Sequence, residues 1–232
     1  MKLNQLHDWN VDFTRAVEIQ RELAPLIRQE PITTPIRLVA GADVSHSRFS
    51  NVLFASVVVY KFPSFEKVEE RSVRFETKFK YRTGLLSFRE APALLKAFEM
   101  VESPVDVAML DGQGIAHPRR MGLASHVGLF LSCPTIGVGK TRLTGDFDEP
   151  AMEAGSQSPL TSRDELIGTV LRTKRNVRPL FISIGHRIEL GFATDLVLQG
   201  VRRHRIPEPT RLAHEAVNAF RRSHATATTE GR

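Results

Sequence analysis

The sequence predicts an α/β fold, a mixed central sheet flanked by helices. Three observations carry this. After an amphipathic opening the chain is strand-rich, with apolar runs at 36–44, 52–60 and 68–77. The middle then alternates helical and strand patterns. The strands of that middle part are short and almost wholly apolar, which is the mark of strands buried on both faces. At 232 residues the chain is long enough for a sizeable core, and it shows no internal repeat or linker. One domain over 1–232 is therefore expected.

Residues 10–29 carry Val11, Phe13, Ala16, Val17, Ile19, Leu23 and Leu26 with charges between them, the spacing of an amphipathic helix. Pro31 and Pro35 end it. The polar group 46–51 reads as a hairpin turn between the first two strands. Residues 87–101 form a helix with Phe88, Leu94, Leu95 and Phe98 on its apolar side. A buried strand at 105–110, a helix at 119–131 and a second buried strand at 135–138 follow. Segment 142–165 mixes charge with Gly, Ser and Pro, has no clear period, and is expected to be a surface loop or an excursion. Strands at 166–172 and 179–184 make a hairpin around 174–178. Helices at 189–203 and 209–222 close the chain, and the Thr/Ala-rich tail 224–232 is expected to be disordered.

The composition excludes several classes. With 41% apolar and 25% charged residues the chain is neither collagen-like, coiled-coil nor wholly disordered. The lone Cys133 excludes an intramolecular disulfide framework and a multi-cysteine zinc site. No secretory h-region opens the chain, and apolar runs such as 52–60 are too short to cross a bilayer. The expectation is a soluble cytoplasmic protein with no membrane contact. Its net charge of +6 tilts the partner toward an anion.

Gly137-Val-Gly139-Lys140-Thr141 looks like the end of a phosphate-binding loop. The full motif needs a glycine where this chain has Pro134, so a P-loop ATPase is set aside. Lys140 still follows a buried strand and two glycines, where a lysine can be held against an anion or simply be solvated. The stronger signal is acidic. Asp43 lies inside the apolar run Val39-Ala-Gly41-Ala-Asp43-Val44, and Asp111 ends the apolar strand before Gly112-Gln-Gly114. A carboxylate in such a place is costly unless it is paired, hydrogen-bonded or bound to a cation. Glu90 opens a helix, where it serves the helix dipole, pairs with Arg89, or joins the other two acids. Three hard oxygen donors from separate elements suit Mg²⁺, with Mn²⁺ as a substitute.

Pro209 is placed to open the last helix. On it Leu212, Ala216 and Phe220 form the apolar face, while Arg211, His214, Asn218 and Arg221 form a separate polar stripe. Arg202, Arg203, Arg205, Arg211, Arg221 and Arg222 form one arginine cluster, and Arg119 and Arg120 a second. Two separated clusters suit a phosphodiester backbone better than one small phosphate.

Taken together, these stretches resemble the endonuclease V family, repair nucleases that cleave near deaminated bases. The matching pieces are Gly41-Ala-Asp43-Val-Ser45; Tyr81 with Gly84-Leu-Leu-Ser-Phe-Arg-Glu90-Ala-Pro92; Asp111-Gly-Gln-Gly-Ile-Ala-His117-Pro-Arg-Arg-Met-Gly122; and Pro134-Thr-Ile-Gly-Val-Gly-Lys140. Ser183-Ile-Gly185-His186-Arg187 and Arg205-Ile-Pro-Glu-Pro-Thr-Arg211-Leu-Ala-His214 complete the set. The resemblance runs in the family's order from about residue 10 to 222. It implies an RNase H-like fold and Mg²⁺-dependent hydrolysis of the second phosphodiester 3′ to deoxyinosine, leaving 3′-hydroxyl and 5′-phosphate ends. It assigns Asp43, Glu90 and Asp111 to the metal, His214 and Lys140 to assisting roles, and Gly84, Leu85 and Gly112 to the walls of a pocket for the flipped base. Arg119 and Arg120 are expected on the phosphate backbone. Where the family carries Pro-Tyr-Ile-Pro or a close variant as a wedge, this chain reads Lys80-Tyr81-Arg82-Thr83, so Tyr81 stays without its flanking prolines.

The expected partner is DNA containing deoxyinosine, with inosine-containing RNA as an alternative and the chain acting as a monomer. Another RNase H-like nuclease, such as a resolvase, shares the carboxylate set. A non-catalytic nucleic-acid binder on the same scaffold should have lost one of the three acids, and all are present.

Overall fold

The structure, a computed structural model, describes residues 1–47 and 50–227. The strands are β1 Leu38–His46, β2 Val52–Lys61, β3 Lys67–Glu76, β4 Val107–Leu110, β5 Thr135–Gly139, β6 Gln157–Ser162, β7 Glu165–Leu171 and β8 Leu180–His186. The helices are α1 Phe13–Leu23, α2 Leu86–Glu99, α3 Leu123–Leu131, α4 Leu190–Gln199 and α5 Glu208–Ala227. The strands form one mixed sheet in the order β3-β2-β1-β4-β5-β8-β7-β6. This is the mixed α/β sheet that the sequence predicts, in the RNase H-like arrangement that the family resemblance implies.

Two antiparallel hairpin pairings, β2 with β1 and β3 with β2, build one wing. The centre is parallel: β1 pairs with β4 and β4 with β5. β8, β7 and β6 extend the other wing in antiparallel pairings. The apolar faces explain the layers. Leu94 and Phe98 of α2 and Val127 and Phe130 of α3 bury one sheet face together with Ala42, Leu53, Val57 and Leu110. Leu196 and Val197 of α4 pack with Val39, Met109, Val138 and Ile182. α5 lies against β1 and β2. The approach is so close that a Cβ on Gly41 would stand 1.8 Å from the Pro209 carbonyl oxygen, so any side chain there would push α5 off the sheet.

Several boundaries differ from the sequence reading. α1 starts at Phe13, where the Asp12 side chain caps the Arg15 N–H at 2.8 Å, and a 3-10 turn, Ala24–Leu26, ends it. α3 starts at Leu123 instead of 119, because Arg120 takes a left-handed φ of 58° that a helix cannot hold. The expected loop 142–165 contains β6, which a bridge between Asp146 and Thr161 joins to the preceding segment. Pro159 disguises it: β6 is an edge strand, where a residue without an N–H is tolerated. α5 runs on to Ala227, so 224–227 are helical and not a disordered tail. The remainder of that tail, 228–232, and residues 48 and 49 of the expected 46–51 turn lie outside the described residues. Among the described residues no helix is long and apolar enough to cross a membrane.

Candidate active site

Strand register brings the acids together. Ala42 of β1 is paired with Leu110 of β4, and the Asp111 N–H continues that ladder to the Ala42 carbonyl at 3.3 Å. Asp43 and Asp111 are therefore neighbours across the carboxyl ends of two parallel strands, a place where open α/β sheets put ligands. β5 runs parallel to β4 and delivers Lys140 one residue past its end, where the ammonium pairs with Asp111 Oδ2. α5 lays His214 over the same end, and its Nδ1 donates to Asp43 Oδ2 at 2.7 Å. Among the described residues, one ligand atom each of Asp43, Asp111 and His214 lie within 4.8 Å of one another. Glu90 comes from α2 and stands beside this trio.

The electrostatics follow from crowding. Asp43 is only 8% exposed, and burial together with the Asp111 charge raises its pKa. Glu90 is pushed up to about 8 by burial and then by Asp43 and Asp111. Its helix-mate Arg89 does not neutralise it by pairing. The Arg89 guanidinium donates to the carbonyls of Phe79 at 2.7 Å and Ser50 at 2.6 Å, so it fastens the loop before α2. Like charges held together in a buried place are the condition a divalent cation relieves. The hard oxygen donors with one imidazole fit such an ion.

Beside the cluster lies a pocket of about 280 Å³ whose lining includes Tyr81, Gly84, Ser87, Asp111, Gly112 and Lys140. Tyr81, 66% exposed, belongs to both the surface and this lining. Gly84 turns the chain with a left-handed φ of 77°. Its carbonyl accepts from Gln20 Nε2 at 3.0 Å, His117 Nε2 at 3.0 Å and Arg119 Nη2 at 2.7 Å. Burial and the Arg119 charge lower His117 to about 4, so the ring is neutral, and its Nδ1 accepts the Arg119 N–H at 3.1 Å.

The chain matches the Endonuclease V family model over residues 21–215. The endonuclease V of Dehalococcoides mccartyi is 49% identical over 93% of this chain and 97% of its own length. This chain belongs to the endonuclease V family. Its fold superposes on the Bacillus subtilis endonuclease V with a TM-score of 0.91 at 28% identity, covering 98% of this chain and all of the other. An endonuclease V of Ciona intestinalis, solved in complex with a DNA containing an inosine followed by a ribo-adenosine, superposes with a TM-score of 0.81 at 24% identity, over 90% of this chain and 98% of that one. The protein is an endonuclease.

In the structure Asp43, Asp111, Lys140 and His214 converge, with Glu90 adjoining. Gly84, Gly112 and Tyr81 share the pocket. Leu85 is placed elsewhere: it is buried with Phe79, Phe88 and Met121, and Leu86 takes the place on the pocket wall. The two arginines expected on phosphates are engaged within the protein. Arg119 also donates to Gln20 Oε1 at 2.5 Å, and Arg120 pairs with Glu165 at 2.7 Å and donates to the His117 carbonyl at 2.9 Å. These contacts tie the 117–122 loop to α1 and to the β6–β7 hairpin. Arg205, by contrast, donates to the Lys140 carbonyl at 3.2 Å, which puts a cation at the edge of the acidic cluster. Sequence reasoning also passed over Gln20, a buried polar residue on an otherwise apolar helix face. Its only signal was a polar residue where the period calls for an apolar one.

Proposed function

We propose that the chain hydrolyses DNA next to deaminated bases, deoxyinosine above all, and cuts the second phosphodiester 3′ to the lesion to leave 3′-hydroxyl and 5′-phosphate ends. The observation that carries this is the adjacency of the carboxylate cluster and the base-sized pocket, which share Asp111 and Lys140. The Ciona intestinalis relative's inosine-containing DNA gives the lesion its chemical identity. Reading a base in such a pocket requires that it leave the helix stack.

Asp43 and Asp111 would hold a divalent cation, Mg²⁺ in our reading, with Glu90 beside them. When bound, that ion supplies Lewis acidity to the scissile phosphate and to a nearby water. The chain's own groups do the rest. His214, its Nδ1–H fixed on Asp43, keeps Nε2 as a lone-pair nitrogen that meets Asn218 Nδ2 at 3.0 Å. Ser45 in turn donates to Asn218 Oδ1 at 2.8 Å, so the imidazole is held at both ends. Lys140 offsets negative charge at Asp111 and can stabilise charge that develops on the phosphate. Glu90 is held above the usual carboxylate range by burial and the two aspartates, and a cation held there would favour its ionised form. Tyr81 enters beside the flipped nucleotide. With the base seated in the pocket, the backbone 3′ to it passes the carboxylates, so position and charge carry the reaction.

The setting that suits a single buried cysteine is the reducing cytoplasm. The deciding measurement is nicking of a duplex with one deoxyinosine, with and without Mg²⁺, beside matched inosine-containing RNA. Mg²⁺-dependent nicking at the second 3′ phosphodiester of the DNA is expected. Cleavage of the RNA alone, or none at any metal concentration, would overturn the reading.

A further inference from the structure

Behind the base pocket lies a hydrogen-bonded line of side chains, buried at Ser87 and His126 and half-buried at His7. Ser87, 2% exposed, sits in the first turn of α2 and contributes to the pocket wall. Its Oγ meets His126 Nδ1 at 3.0 Å. His126 Nε2 meets His7 Nε2 at 2.7 Å, and His7 Nδ1 meets the Asp8 carbonyl oxygen at 2.8 Å. The rings lie in an aromatic nest with Trp9, Phe88 and Phe130.

The protons on this line are determined by its far end. A carbonyl only accepts, so His7 Nδ1 carries the proton and donates. In a neutral ring His7 Nε2 is then the acceptor, and His126 Nε2 must donate to it. That leaves His126 Nδ1 as a lone pair, to which Ser87 donates its hydroxyl proton. Both rings are neutral at physiological pH: burial lowers His7, and burial followed by the His7 and His117 charges lowers His126 well below the ordinary value. Ser87 therefore has lone pairs and no proton left for anything in the pocket.

We propose that Ser87 is a specificity-determining residue of this pocket, an obligate acceptor that selects a flipped base bearing a ring N–H over one bearing a ring lone pair. Hypoxanthine carries N–H at position 1, where adenine carries a lone pair. The first completes a hydrogen bond with Ser87, and the second sets two lone pairs against each other, with a buried acceptor left unmade. His126 and His7 are positioning residues that act through Ser87. The inference rests on reading this pocket as the base site and adds to it a side chain that tells a deaminated base from its parent.

The test uses the full chain with Mg²⁺ and single-stranded oligonucleotides, so that no base pair has to open. The readout is the ratio of kcat/KM for a strand with deoxyinosine to that for the same strand with deoxyadenosine. Ser87→Ala should lower this ratio about tenfold, the loss of one hydrogen bond and of one lone-pair conflict. Ser87→Thr, which keeps the acceptor, should stay within about threefold of the parent. His7→Phe fills the nest but frees His126 to take the other tautomer. It should lower the ratio several-fold, and adding Ser87→Ala to it should lower the ratio no further than Ser87→Ala alone. Nitrogen-15 NMR should place the His126 proton on Nε2. A parent enzyme with no preference for deoxyinosine overturns the pocket reading and this inference together. A preference that survives Ser87→Ala and His7→Phe unchanged, or a His126 proton on Nδ1, overturns this inference alone and leaves the pocket standing. Should Ser87→Ala fail to fold, the His7→Phe ratio and the NMR assignment decide.

Discussion

Two polar regions meet at the pocket and solve the same problem in opposite ways. On one side Asp43, Glu90 and Asp111 are pressed together with Lys140 and His214 as their nearby positive or polar counterparts, and burial raises the first two acids. On the other, His7, His117 and His126 are all lowered, and each has its ring nitrogens matched to a carbonyl, a hydroxyl, a backbone N–H or another ring. The histidine side is complete as it stands. The carboxylate side holds charge that its own side chains do not balance, and that imbalance is available for a ligand. Buried polarity by itself therefore marks neither structure nor function; whether its hydrogen bonds and charges close does.

The sharpest break of this comparison is to remove an acid. Asp43→Ala and Asp111→Ala should each lower cleavage a thousandfold or more, since loss of a ligand removes the ion's contribution to water and phosphate alike. They should leave thermal unfolding unchanged or raised, because a like-charge contact disappears. A variant that cuts within about tenfold of the parent in a single-turnover assay would return the acids to a structural role.

Next come the two groups that flank the acids. Lys140→Ala and His214→Ala should each slow single-turnover cleavage on the order of a hundredfold, the typical cost of one electrostatic contact to a transition state. Binding to uncleaved substrate should change little by comparison. Equal losses in binding and in rate would assign both residues to ground-state contacts instead.

The comparison also predicts opposite pH behaviour for stability. His117 and His186 titrate at about 4 in the fold, both lowered chiefly by burial, but near 6.5 when unfolded. The unfolded chain then binds more protons between those values, so their contribution is whole above pH 6.5 and is lost as the pH falls toward 4. For His117 this reaches up to ~3 kcal/mol. Glu90 runs the other way: raised to about 8 from 4.5, it favours the fold below 4.5 and loses that contribution as pH rises toward 8. Urea unfolding in EDTA should show that Glu90→Gln stabilises at pH 8 by roughly 2 kcal/mol, with little effect at pH 5. Mg²⁺ should shrink the difference. A Glu90→Gln variant with the parent's pH profile would show that the acids are not coupled.

Much of this site was legible in the sequence because its parts sit at the ends of strongly patterned strands. Asp43 interrupts an apolar run and Asp111 ends one, so their burial followed from the pattern alone, and parallel pairing then made them neighbours. Lys140 was legible for the same reason. What the pattern could not supply is which partner a polar residue takes after folding. Arg119 and Arg120 read as a phosphate-binding pair because arginine suits phosphate contacts; their partners within the fold, Gln20, a residue 99 positions away, and Glu165, 45 positions away, are not written in the local sequence. Leu85 and Leu86 could not be ordered between core and pocket without the positive-φ turn at Gly84 that precedes them. β6 was missed because Pro159 is a strand-breaker everywhere but at an edge, and the edge is a property of the sheet.

The smallest expected effect concerns Tyr81, which belongs to neither buried region. It stands at the mouth of the pocket in a loop where the family's wedge prolines are absent. The loop has other anchors. Phe79 is buried, Arg89 holds its carbonyl, and the Arg82 guanidinium lies 4.9 Å from the centre of the Phe13 ring. The lost prolines are thus replaced in part by contacts to α1 and α2 instead of by backbone rigidity, and some ordering is left for the substrate to induce. An aromatic ring inserted beside a flipped nucleotide replaces lost stacking, worth ~1–3 kcal/mol. Tyr81→Ala should therefore weaken cleavage of a deoxyinosine duplex about tenfold while changing that of the same site in a single strand by less, since no pair has to open there. Arg82→Ala should loosen the loop and reproduce a part of that duplex-specific loss with the tyrosine intact. Equal losses on duplex and single strand for Tyr81→Ala would show that the ring contributes to the pocket wall and not to strand opening.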